Sequence, residues 1–396
     1  VAATTSATST PTSSPTPDPQ TVRRQAVTDL LARRAQAVLQ HDRAGFLATV
    51  DPSATAFVAA QARVFDALQA VPLGSFAYDL APTTSGATLS DPVLDTTYAG
   101  LTWWAPQVTL RSAIAGFDPE PVAARMQLTF VQRGDQWLLA SQSDFASRTP
   151  GLDTSFWDTG EVIVKAGASC LVLGHPGSAA LLTKLAADAD AAVPRVSSIV
   201  GTDWAQKVVI VLPADEAEMA LLAGGKKEDL AQIAALTLSG DGGTRILINP
   251  SVLAQESAAS RRVVMTHELT HVAMRSATTG KTPKWLSEGL ADHVGFTGLG
   301  VPITTAVADV RTEVKAGRVP AQLPDDADFS GDNPKLGLAY GEARLAYEEV
   351  VALRGEAGAL DAYRAVGRGT PLAEALGMSV EQFTAAWQES MRKRLR

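Results

Sequence analysis

A chain of 396 residues, 46% of them hydrophobic, has material for two or three domains and a sizeable core, which excludes global disorder. A formal net charge of −8 with no basic cluster excludes nucleic acid as the expected partner. Cys170 is the only cysteine, so an internal disulfide is excluded, and no apolar stretch approaches the length of a membrane span.

Residues 1–20 are dominated by Ser, Thr and Pro and predict an extended tether. A tether in that position leads us to expect an extracytoplasmic protein, secreted or held to a membrane through a segment removed ahead of Val1. Residues 21–148 read as one accessory unit. A helix over Thr21–Gln40 carries Val27, Leu30, Leu31 and Val38 on one face, and a second over Ser53–Leu68 presents Phe57, Val64, Phe65 and Leu68. Strands follow where Phe76, Tyr78 and Leu80 alternate, then Met126, Leu128 and Phe130, then Trp137 and Leu139 after a turn at Gly134-Asp135. In its element order this unit resembles the ketosteroid-isomerase-like cone folds.

Residues 149–156 contain Pro150-Gly151 and read as a linker, and residues 157–396 form the second unit. Strands are expected at Val162–Lys165, Cys170–Leu173, Val208–Leu212 and Thr244–Asn249, and a helix over Ser178–Ala192. From Ser257 onward the pattern is almost entirely helical. The expected fold class is therefore α+β, a helix-plus-antiparallel-sheet unit followed by one with a small mixed sheet and a mostly helical C-terminal half.

The chemistry concentrates at His267-Glu268-Leu269-Thr270-His271, in a chain with only five histidines. Residues four apart share a helix face, so both imidazoles can face one metal ion, with Glu268 beside them as a general base. The flanking Val263, Val264, Met265, Val272 and Met274 predict a buried helix over 257–275. A catalytic zinc site takes three protein ligands. Glu288 is the expected third, on a second helix that opens at Thr282-Pro283, with Thr282 as its cap. Asp292 shares its face and is placed to accept a hydrogen bond from a ligand imidazole. The connection between the helices contains Gly280 and is short, as between antiparallel neighbours.

At these residues the chain resembles the gluzincin metallopeptidases, and Trp285-x-x-Glu288-Gly289-x-Ala291-Asp292 resembles their peptidase-MA-like branch. The capping box Ser379-x-x-Gln382, opening a helix with Phe383 and Trp387, is similar to the terminal helices of that branch. The resemblance covers roughly residues 155–396 and implies Zn2+ held by His267, His271 and Glu288. It also implies a peptide or protein substrate and Glu268 as the base for water. It implies a Tyr or His donor to the developing oxyanion: Tyr340 is the candidate, with Tyr347 and His293 as alternatives. It implies a substrate bound along a sheet edge, expected at Thr244–Asn249. The Gly-x-Met-x-Asn motif of the related aminopeptidases is absent, which favours an endopeptidase. A non-catalytic scaffold that keeps the peptidase fold, or a hydrolase of a non-peptide amide in the cell envelope, are the rival readings. Elsewhere, His175 is expected in a solvated turn, His41 at a helix C-terminus, Cys170 in inert core, and Pro324–Asp328 in a solvated loop.

Overall fold

The computed structural model describes residues 18–82, 91–225, 230, 232–240 and 243–396. The tether expected over residues 1–20 therefore lies outside the described residues, except at its end, where helix formation starts earlier than its composition suggests. Asp18 caps α1 (Pro19–Leu39), and Pro19 opens it. Helices α2 (Arg43–Leu47) and α3 (Thr55–Gln69) follow, then β1 (Leu73–Leu80), α4 (Pro92–Thr97), β2 (Thr102–Trp104), β3 (Gln107–Ile114), β4 (Val122–Gln127), β5 (Thr129–Arg133) and β6 (Gln136–Ser141). The strands form two antiparallel three-stranded sheets, ordered β1-β3-β4 and β2-β5-β6.

The single strand expected through Met126, Leu128 and Phe130 is divided at Leu128, with Met126 in β4 and Phe130 in β5, in different sheets. The apolar alternation runs on through the division because all three side chains join one cluster with Val27, Leu30 and Leu31 of α1. Gly134, with φ of 57°, makes the tight β5–β6 turn with Asp135, as expected.

The second half begins with β7 (Ile163–Ala166), β8 (Cys170–Gly174), α5 (Ala179–Val200), β9 (Val208–Val211), α6 (Glu216–Ala223), β10 (Ala235–Gly240) and β11 (Gly243–Ile248). Its five strands are ordered β10-β11-β9-β8-β7, with β8, β9 and β11 parallel and the two outer strands antiparallel to their neighbours. Here the expectation for Thr244–Asn249 is corrected. That stretch is β11, an interior strand, and the strand bordering the helices at the sheet edge is β10. A buried parallel strand reads as a continuous apolar run because both faces are covered. In β9, Val208 and Ile210 face the main core, while Val209 and Val211 face a second cluster that includes Ala67, Val71 and Ile114 of the first half. The two halves also meet in a partly buried ion pair, Arg245 Nη1 and Nη2 donating to the two carboxylate oxygens of Asp118 at 2.6 and 2.7 Å.

The remainder is helical: α7 (Pro250–Leu253), α8 (Ala258–Met274), α9 (Lys284–Phe296), α10 (Ile303–Ala306), α11 (Ala308–Lys315), α12 (Leu336–Arg368), α13 (Leu372–Leu376) and α14 (Val380–Arg394). α12 is kinked at Gly355, where φ of 71° is available to a residue without Cβ. Ser379 and Gln382 form the expected capping box of α14, which buries Phe383 and Trp387. The fold is α+β, with small sheets and a helical C-terminal half.

Glu342 on α12 carries a pH-dependent cost. Burial pushes its carboxyl up to about 7 from 4.5, and the Asp328 and Glu313 carboxylates add to the rise against Lys335. An acid whose value is raised by folding stabilises the fold below its unfolded value and loses that contribution as pH climbs through the folded one. Stability should therefore fall between about pH 4.5 and 7, by on the order of 2–3 kcal/mol. Urea denaturation of Glu342→Gln is expected to match wild type at pH 4 and to exceed it at pH 8. Equal stability at pH 8 would refute this.

Candidate metal centre

Ser257 opens α8, its Oγ accepting from Ser260 N at 3.1 Å. Met265 and Leu269 on one side of the helix join the main core, while His267, Glu268 and His271 border a cleft of about 370 Å³. The 3.6-residue turn does this sorting locally. His267 meets Asp292, and four residues on His271 meets Ser287, so α8 and α9 run antiparallel. Gly295 lets α9 approach: a Cβ there would lie 3.2 Å from Val263 O.

The start of α9 differs from the expectation. Thr282 does not cap it; its Oγ1 accepts from Thr279 N, and the helix begins at Lys284 after Pro283. The free Lys284 N–H is taken by Asp326 Oδ1 at 2.8 Å. A carboxylate at a helix N-terminus satisfies an orphan donor and the helix dipole together. The acidic stretch expected as a solvated loop thus anchors the helix that carries Glu288.

Three donor atoms converge. His267 Nε2 and His271 Nε2 each lie 3.2 Å from Glu288 Oε2 and 3.1 Å from one another. Donors held about 2.0–2.1 Å from a tetrahedral zinc ion would stand roughly 3.3 Å apart. The donor set fits in its chemistry too. His267 Nδ1 sits 2.8 Å from Asp292 Oδ1, so with the proton on Nδ1 its Nε2 presents a lone pair. A lone pair, a second imidazole nitrogen and a carboxylate oxygen at these separations are satisfied by a metal cation among them or, without one, by a shared proton. The three residues form the metal-competent His/Glu group among the described residues. On the far side of His271, Nδ1 is 3.5 Å from Ser287 Oγ, which accepts from Tyr363 OH at 3.4 Å.

The protein groups set the charge balance. Burial works against a charged His267, but the bonds to Asp292 and Glu288 outweigh it and hold the imidazole well above its ordinary range. Burial would raise Glu288, yet the adjoining His271 and His267 keep its carboxyl well below the usual carboxylate range. Tyr340 is pushed far up by burial and by the Glu288, Glu268 and Asp292 charges, so its hydroxyl keeps its proton and is available as a donor.

Tyr340 borders the cleft, edge-on to His267 with ring centroids 5.9 Å apart. The two alternatives are placed elsewhere. Tyr347 is fully buried under His293, and His293 Nε2 faces Glu356 at 3.0 Å. His175, expected in solvent, has Nε2 2.8 Å from Glu218 Oε1 and its ring against Phe156. Cys170 is buried, as expected. Thr237 of β10 is a site residue that no sequence pattern signalled; its Oγ1 donates to Glu268 Oε2 at 2.6 Å.

No family model matches the chain, and no curated protein matches it. Among solved structures it is similar to native yeast LTA4 hydrolase, at a TM-score of 0.34 and 12% identity, over 60% of this chain and 38% of that one.

Proposed function

We propose that this chain is a zinc-dependent endopeptidase that cleaves peptide or protein substrates in the cleft between β10, α8 and α12. The observation that carries the reading is the convergence of His267, His271 and Glu288 with Glu268 on the same cleft. Zinc bound by the first three supplies Lewis acidity toward water and the scissile carbonyl. Glu268 is the only carboxylate of the motif left outside the ligand set, and it takes a proton from the attacking water and returns it to the leaving amine. Tyr340 OH donates to the oxygen on which negative charge develops. Asp292 fixes the His267 ring with Nδ1–H toward its own carboxylate, which keeps Nε2 unprotonated for the metal.

The test is elemental analysis of the purified protein together with cleavage of a diverse peptide library. Stoichiometric zinc and cleavage lost to a chelator support the reading; a protein that binds no zinc overturns it. Asp292→Ala is expected to weaken zinc binding about 10- to 100-fold, read by competition with a chromophoric chelator. Unchanged affinity would remove Asp292 from this role.

A further inference from the structure

We propose that Thr237 is a positioning residue that ties the carboxylate of Glu268 to the edge strand and so sets where the base can reach; this rests on the endopeptidase reading above. Glu268 projects from the middle of α8, and nothing on its own helix restrains the end of a long, flexible side chain. The restraint comes from β10. Ala235 and Thr237 share the strand face turned to the α8 core, while Leu236 and Leu238 pack on the opposite side, as strand alternation requires. That alternation aims the Thr237 hydroxyl at Glu268 Oε2, to which it donates a hydrogen bond at 2.6 Å.

One consequence concerns the second oxygen. Among the described residues the Glu268 carboxylate accepts no other side-chain or backbone hydrogen bond. With Oε2 held by Thr237, Oε1 is the atom left to take the proton. A second consequence concerns the strand. Thr237 pairs with Ile246 of β11, so the base is referenced to the sheet that borders the cleft as well as to the helix bearing His267 and His271. A threonine suits the place. Its Cβ branch favours the strand, and the branch limits the hydroxyl to few directions.

The experiment uses the zinc-loaded full-length protein with Thr237→Val, Thr237→Ala and Thr237→Ser. Val and Ala remove the hydroxyl and Ser retains it. Binding of a peptidyl hydroxamate, whose acidic proton a nearby carboxylate must accept, is measured by calorimetry beside peptide-cleavage kinetics. For Val and Ala, hydroxamate Kd should rise about tenfold. Their kcat should fall about 10- to 100-fold, with KM within about twofold. Zinc affinity and Tm should stay at the wild-type values, and Ser should restore both hydroxamate Kd and kcat. Wild-type hydroxamate affinity in Val and Ala overturns the proposal while leaving the endopeptidase reading standing. A loss matched by a fall in Tm, or shared equally by Ser, also overturns it. If wild type holds zinc yet cleaves no library peptide, the endopeptidase reading fails, and hydroxamate Kd still decides the role of Thr237. A wild type without zinc ends both.

Discussion

Glu268→Gln is expected to lower kcat for peptide cleavage by about 10²- to 10⁴-fold, the usual contribution of a positioned general base. Zinc content and Tm should not change. The substitution is nearly isosteric, and the amide oxygen still accepts from Thr237 Oγ1, which is 2.6 Å from Oε2 in the native arrangement. Glu268 is also outside the converging set of His267, His271 and Glu288, so its loss leaves the metal donors intact. KM should move little, because a carboxylate that acts on the attacking water contributes mainly in the transition state. Kinetics and elemental analysis on one preparation distinguish this from a structural role. A variant that loses zinc together with activity would mean that Glu268 holds the metal. A variant that keeps full activity would exclude Glu268 as the base.

Gly289→Ala is expected to destabilise the fold and disturb the candidate metal centre together. In an exposed helix interior, Gly to Ala is worth about 0.5–1 kcal/mol of added stability. At position 289 the sign reverses. A Cβ would lie 2.3 Å from the Ala343 carbonyl oxygen, 2.9 Å from its carbon and 2.9 Å from Tyr347 Cβ. The obstruction is backbone of α12, which cannot rotate aside as a flexible side chain would. Overpacking of this kind costs about 1–3 kcal/mol and is relieved by driving α9 and α12 apart. Those two helices carry Glu288 and Tyr340, so the same displacement pulls the proposed metal ligand and the proposed oxyanion donor out of register. Denaturation of the zinc-free protein should show the stability loss, and chelator competition a weakened metal site. Gly280→Ala is the control: nothing lies within 4 Å of a Cβ there, and it should stay within about 0.5 kcal/mol of wild type. Wild-type stability in Gly289→Ala would refute the packing argument.

Both predictions depend on features that differ in how far a reader of the sequence could reach them. His267, Glu268 and His271 lie on one helix, and the fixed turn of that helix is enough to place them together. The same local rule puts Glu288 and Asp292 on one face of α9, and the capping box at Ser379 and Gln382 is equally local. The long amphipathic helices α1, α3 and α8 and the apolar runs of β8 and β9 were readable for the same reason. Periodicity reports which face is buried without naming what buries it.

What was not readable depends on approach between distant parts of the chain. β10 alternates Leu236 and Leu238 with Thr237 and Ser239, but so short a pattern does not say which strand lies beside it, and Thr244–Asn249 is the apolar run directly ahead of the motif helix in the chain. Thr237 is 31 residues from Glu268, and Asp326 is 42 residues from the helix end it caps. Nothing in the spacing of either pair distinguishes them from any Thr and Glu, or any Asp and Lys. Among Tyr340, Tyr347 and His293 the choice required the rotation of α12 against α9, which is set by how closely Gly289 lets them pack. Covalent spacing and helix geometry decide which residues of one element share a face. The pairing of His267 and His271 beside Glu268, and of Glu288 with Asp292, follows from that alone, whereas the convergence of the two helices, the support from Thr237, the edge strand and the placement of Tyr340 depend on side-chain volumes meeting across elements.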